Sequence, residues 1–126
     1  MKIPANLLYT KDHEWLRIED NIAYIGITDF AQSELGDIVY VEIETVDETL
    51  NQNDVFGTVE AVKTVSDLFL PINGEVLESN PKLEDSPELV NDDPYGEGWM
   101  IKLKMEANAD LKDLLDADVY ALLIGS

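Results

Sequence analysis

The stretch EAVKTVSDLFLPINGEV, residues 60–76, sets one lysine, Lys63, between two apolar runs rich in β-branched residues. DVFGTVEAV (54–62) and TVSDLFL (64–70) read as strands on either side of it, and GEVLESN (74–80) follows a Pro71–Gly74 break. Lys63 therefore stands at the middle of a hairpin, in a chain with only 8 Lys and Arg residues. The ordinary purpose of such a lysine is to keep the turn wet and to block strand-edge association. Its surroundings point further. Glu60 lies three residues before it, Asp67 four after, and Val62 and Val65 flank it. A lysine held out on a stiff turn with its amine free suits covalent attachment of a group carrier. The reactive group then belongs to the cofactor, and the protein supplies position and recognition.

Outward from this hairpin the pattern stays β-rich. WLRIEDNIAYIGI (15–27) alternates on both sides of the turn-forming Glu19-Asp20-Asn21 and reads as another hairpin. TDFAQSELG (28–36) offers Thr28 as N-cap, Asp29 in the first turn and Gly36 as terminator, which predicts a short helix. IVYVEIE (38–44) predicts a strand with Ile38, Val39, Val41 and Ile43 supplying apolar surface, and VDETLNQND (46–54) a polar loop. Residues 81–98 hold three of the five prolines and read as an ordered surface loop, because WMIKLKM (99–105) resumes a strand directly after them. NADLKDLLDADVYALL (108–123) spaces Leu111, Leu114, Leu115, Val119, Leu122 and Leu123 at helical intervals, with a break expected near Asp116. Many short strands and little helix predict a compact all-β barrel or sandwich with helical decoration.

At 126 residues the chain is read as a single domain, 1–126. A hydrophobic fraction of 45% argues against disorder despite a formal net charge of −19. That charge repels phosphate backbones, so nucleic acids and anionic membranes are poor partners, whereas basic protein surfaces are attracted. Cysteine is absent, which excludes disulfides and thiolate chemistry, and the single histidine, His13, excludes multi-histidine zinc sites. No apolar run reaches the length of a membrane span. MKIPANLLYT lacks the features of a signal peptide, so a reducing cytoplasm is expected.

An enzyme needs a nucleophile, a base and a charge stabiliser in one pocket. With one histidine and no cysteine only paired carboxylates remain, and among 27 acidic residues some pair always exists. No G-x-S-x-G, phosphate-cradling glycine loop or dinucleotide fingerprint occurs, and NDDPYGEGW lacks calcium-loop spacing. A non-catalytic carrier is expected, with no metal.

EAVKTVSDLFLPINGEV resembles the lipoyl-lysine motif of the glycine cleavage system H-protein family. YTKDHEW (9–15), IGITDFAQSELGDIVYVE (25–42), ELVNDDPYGEGWMIKLK (88–104) and LKDLLDADVY (111–120) resemble that family's sequence in its order, so the likeness runs from about residue 7 to 124. Two positions depart from many members, which have Ser at Ala61 and Ala at Thr64; neither supplies the attachment amine. The resemblance implies a mainly β fold, the barrel-sandwich hybrid of two antiparallel sheets shared by lipoyl and biotinyl domains. It also implies a short helix near 28–35 and a C-terminal helical segment. Lys63 would carry lipoic acid as an amide, and Glu60 would be recognised by the lipoate-attaching enzyme. The arm would receive an aminomethyl group from the pyridoxal-phosphate (PLP) glycine decarboxylase. It would hand that group to the tetrahydrofolate-dependent aminomethyltransferase and be reoxidised by dihydrolipoamide dehydrogenase. Tethering makes each hand-over local.

An aminomethyl group on sulfur is labile to water, so the loaded arm needs a water-poor resting place. The resemblance puts that place in a cleft near HEW (13–15), where Glu14 offers a carboxylate to the ammonium and Asp67 is a second contact to the loaded arm. His13 and Trp15 read as ordinary strand-start and core residues, and Gly74 as a structural bend. Two alternatives stay open on the residues alone: a biotin-carrier-type domain, whose A-M-K-M site differs from A-V-K-T here, and an unmodified interaction module of the same fold.

Overall fold

The computed structural model describes residues 1–125. Nine strands and four short helices occur among them: β1 (Leu8–Tyr9), β2 (Glu14–Glu19), β3 (Ile22–Ile27), α1 (Asp29–Leu35), β4 (Ile38–Glu42), β5 (Thr49–Leu50), β6 (Val55–Ala61), β7 (Val65–Phe69), β8 (Gly74–Ser79), α2 (Lys82–Asp85), α3 (Leu89–Asp92), β9 (Ile101–Met105) and α4 (Ala117–Leu123). They form two antiparallel sheets, a larger one in the order β1-β2-β3-β9-β8-β5 and a smaller one in the order β4-β6-β7. The mainly β, two-sheet architecture implied by the resemblance is present.

Alternation explains most of the pairing. In β3 Ala23, Ile25 and Ile27 point into the core, and in β6 Phe56, Val59 and Ala61 meet them from the smaller sheet. One inner face from each sheet, closed by Val76, Leu103 and Met100, makes the main core. β2 breaks the alternation, because Glu14, Trp15 and Leu16 are all buried. Its second face is covered by another cluster, in which Trp15 joins Leu7, Tyr9 and Tyr120. Tyr9 and Tyr120 stack with ring centroids 4.7 Å apart, and the Trp15 indole N–H donates to the Pro94 carbonyl at 2.9 Å. Trp15 is thus the core residue its position suggested.

Helix α1 begins and ends on the residues expected. The Thr28 Oγ1 accepts from the Ala31 N–H at 3.2 Å, and Gly36 closes the last turn with φ +81°, where a side chain is strained. Thr28 Oγ1 also lies 2.8 Å from the Tyr120 hydroxyl, so this cap is tied to α4.

Three segments differ from their sequence reading. Residues 81–98 are more than a loop: they contain α2 and α3, and they bury Leu83 and Val90 in the core. Asn80 gathers the ends of this segment, its Nδ2 donating to the Glu97 and Trp99 carbonyls at 2.7 and 2.8 Å. In the C-terminal segment only Ala117–Leu123 is helical. Asp116 caps it through Oδ1 to the Val119 N–H at 2.9 Å, at the expected break. Upstream, Leu115 exchanges two backbone hydrogen bonds with Tyr9 (2.7 and 2.8 Å), which a helix there would forfeit. The anchor of α4 is Tyr120 rather than the leucine stripe; Leu122 remains 79% exposed. Lastly, a bulge between Ile38 and Tyr40 leaves Ile38 and Val41 buried but turns Val39 outward.

Candidate functional site

Lys63 occupies the turn between β6 and β7, as the hairpin reading required. The turn is tight: the Ala61 N–H donates to the Thr64 carbonyl at 2.7 Å, and the Val62 N–H donates to the Asp37 carbonyl at 3.1 Å. The second bond fixes the tip to the start of β4. That start is itself pinned by Asn91 of α3, whose Oδ1 accepts from the Ile38 N–H at 2.8 Å. Its Nδ2 donates to the Gly36 carbonyl and to Gln32 Oε1, both at 2.9 Å. Rigidity at Lys63 thus descends from a side chain on the 81–98 segment. Sequence reasoning missed Asn91, because only the fold brings α3 against the end of α1.

The lysine side chain is exposed, and among the described residues its amine has no carboxylate oxygen within ion-pairing distance. Its stem runs over Gly36, where an added Cβ would stand 3.3 Å from Lys63 Cε and 3.8 Å from Nζ. Gly36 follows Leu35, and Leu35 walls a cleft of about 370 Å³ between α1 and β7. Phe30, Ala31, Ile27, Val59 and Leu68 complete its apolar side, and Asp12, Glu14, Glu34 and Asp67 bring four carboxylates with no lysine or arginine among the lining.

Glu14 is 2% exposed, not a surface charge. Its Oε1 accepts from Thr10 Oγ1 at 2.8 Å and its Oε2 from the Phe69 N–H at 3.3 Å. Burial pushes its pKa up to about 7, with the charge of Asp12 adding to the rise and the two hydrogen bonds opposing it. Thr10, in the YTKDHEW stretch, was the missed partner; a hydroxyl four residues before a buried carboxylate was its only signal. His13 also lines the cleft. It adopts φ +68°, packs against Phe30 at 4.8 Å, and sets Nδ1 2.9 Å from the Tyr120 hydroxyl. Burial lowers its pKa, opposed by Asp12 and Glu34.

The structure brings Glu14 and Asp67 to one cleft but places Glu60 elsewhere. Glu60 is exposed on the outer face of the smaller sheet, in register with Tyr40 on one side and Val65 on the other. Gly74 is less a bend than a close approach, since a Cβ there would stand 2.5 Å from the Lys104 carbonyl oxygen and 2.8 Å from Leu103 Cγ. No three His, Cys, Asp or Glu side chains among the described residues cluster to hold a metal ion, and no helix among them is long and apolar enough to cross a membrane.

The sequence profile described as Glycine cleavage H-protein matches residues 7–125. The chain belongs to that family. It is 59% identical to the glycine cleavage system H protein of Bacteroides fragilis over 126 residues, covering 100% of both chains. It is 57% identical to that of Salinibacter ruber over 121 residues, covering 96% of this chain and 98% of the relative. The crystal structure of a glycine cleavage system H protein from Mycobacterium marinum superposes with a TM-score of 0.89 at 38% identity, covering 98% of this chain and 100% of that one. Membership in this family decides against the biotin-carrier alternative, and the likeness extends the lipoyl-domain-like fold over almost the whole chain.

Proposed function

We propose that residues 1–126 act as a single lipoyl-carrier domain of glycine cleavage, not itself an enzyme, with lipoic acid held as an amide on Lys63. The observation that carries this reading is an exposed, unpaired lysine on a braced hairpin tip, its stem directed over Gly36 toward an acid-lined cleft. The residues fit the group: the amine is accessible for acylation, and the cleft has one apolar wall for a hydrocarbon arm. When attached, the lipoyl dithiolane supplies the sulfur that accepts the aminomethyl cargo and the dithiol that is later reoxidised.

The chain's own residues then position and protect. Asn91 and the Asp37 carbonyl hold the tip, so that the arm pivots from a fixed point. The cargo's ammonium is attracted into the cleft by Asp12, Glu34 and Asp67 at its margin, and by Glu14 within it. A cation beside Glu14 favours that residue's ionised form, so parking the cargo and ionising Glu14 reinforce each other. Phe30 and Leu68 exclude water from the same space, which slows hydrolytic loss. The partners are glycine decarboxylase (PLP), the tetrahydrofolate-dependent aminomethyltransferase, dihydrolipoamide dehydrogenase and a lipoate-attaching enzyme, in the cytoplasm. The net charge of −19 favours basic docking surfaces on them.

The test is reconstitution. The acylated chain, mixed with decarboxylase, aminomethyltransferase and tetrahydrofolate, should release CO2 from glycine and form methylene-tetrahydrofolate. The Lys63→Arg protein, taken through the same acylation, should do neither. Equal turnover by the two proteins would refute the assignment, and inactivity of both would favour the unmodified interaction module.

A further inference from the structure

The outward face of the smaller sheet is unusual for a solvent-facing surface. Register places Tyr40 of β4, Glu60 of β6 and Val65 of β7 on one rung, and Glu42, Thr58 and Asp67 on the next. On the first rung Tyr40 is 47% and Val65 63% exposed, and Val62, beside Lys63, is 72% exposed. Strand propensity alone explains a valine or a tyrosine on a sheet, but not why the exposed apolar side chains of this sheet cluster at the end that bears Lys63. Around them stand Glu42, Glu44, Glu60 and Asp67, none of which has an ion-pair partner among the described residues. The crowding is felt: Glu42 is held above the usual carboxylate range by its hydrogen bond to Glu44 and by that neighbour's charge, with Glu60 adding to it. A second copy of this chain, also at −19, would bring carboxylates against carboxylates. The occupant is therefore a different protein, with cations around an apolar slot.

The position of the patch selects among partners, given the reading above that Lys63 is acylated. Enzymes that act on the distal sulfurs of an arm need not touch its root. The enzyme that makes the amide must bring an acyl carbonyl to bonding distance of Nζ, and so must grip the tip. We propose that the Tyr40–Glu60–Val65 rung is the docking ledge for the lipoate-attaching enzyme, whose matching face is an apolar slot framed by arginine or lysine side chains. In the step served, Nζ attacks the carbonyl of lipoate activated as a nucleotide mixed anhydride. The N–C amide bond forms and the C–O bond to phosphate breaks, its electron pair leaving with the nucleotide monophosphate. The former ammonium gives two protons to solvent.

The experiment uses the whole unacylated chain with lipoate, ATP, magnesium and a lipoate–protein ligase, and follows initial rates by intact mass. Threonine keeps strand propensity, so Tyr40→Thr and Val65→Thr should fold as the parent does, checked by thermal melting. Tyr40→Thr should lower kcat/KM about tenfold and Val65→Thr about threefold, both through KM. Leu122→Thr, on the exposed side of α4, should leave it unchanged. Added salt should raise the parent's KM, because the ledge is acidic. Parent-like KM values for both ledge variants would overturn the proposal while leaving Lys63 as the attachment site. An equal loss in the decarboxylase reaction of variants acylated to completion would assign the face to that enzyme and overturn it too. A parent chain that gains no lipoyl mass would sink the carrier reading, and this proposal with it.

Discussion

Replacing Glu14 by Gln tests the cleft's electrostatics without the arm. Glu14 has its carboxyl raised from an ordinary 4.5 to about 7, chiefly by burial. A group whose folded pKa lies above its unfolded value binds more protons in the folded state. Its favourable contribution is therefore fully present below about pH 4.5 and is lost as pH rises through about 7. At roughly 1.4 kcal/mol per tenfold change in protonation, the full window is worth ~3 kcal/mol. Glutamine mimics the protonated acid, because its oxygen can accept from the Phe69 N–H while its amide donates to Thr10 Oγ1. The many exposed carboxylates titrate alike in both proteins and cancel in the difference. Urea unfolding of parent and Glu14→Gln at intervals from pH 4 to 8 should therefore show the variant gaining on the parent by ~3 kcal/mol, with the gain concentrated between pH 4.5 and 7. A stability difference that stays flat with pH, or that shifts toward the parent, would refute the buried-carboxylate argument.

Asn91→Ala removes three hydrogen bonds and orphans the Ile38 N–H, so it should cost about 2 kcal/mol in denaturant unfolding and speed amide exchange at Val62. Gly74→Ala forces a methyl against the Lys104 carbonyl and should cost more than about 2 kcal/mol; a neutral result in the same assay would mean that β8 and β9 separate easily. Glu60→Gln should fold normally and be acylated more slowly, and an unchanged acylation rate would remove Glu60 from recognition.

The hairpin carrying Lys63 was legible because β-branched runs, a single cation and a proline–glycine break all lie within 60–76. The α1 boundaries were legible for the same local reason, with Thr28 and Gly36 acting on their own backbone. What stayed hidden depended on contacts distant in sequence. The leucines of 108–123 have helical spacing, yet Tyr9 claims the backbone of Leu115, and only the part after Asp116 winds. Glu14 reads as a charge without packing purpose, yet Thr10 and the Phe69 N–H satisfy it in the interior. Val39 reads as core, and one bulged residue in β4 sends it to solvent.

The central claim is that the chain carries its arm on Lys63 and nowhere else. Incubation of the chain with lipoate, ATP and a lipoate–protein ligase, followed by proteolysis and mass mapping, tests it most directly. The account predicts one lipoyl adduct per chain, on the peptide containing Lys63, and none on the Lys63→Arg protein. An adduct on any of the other lysines, or retention of the added mass after that substitution, would contradict it.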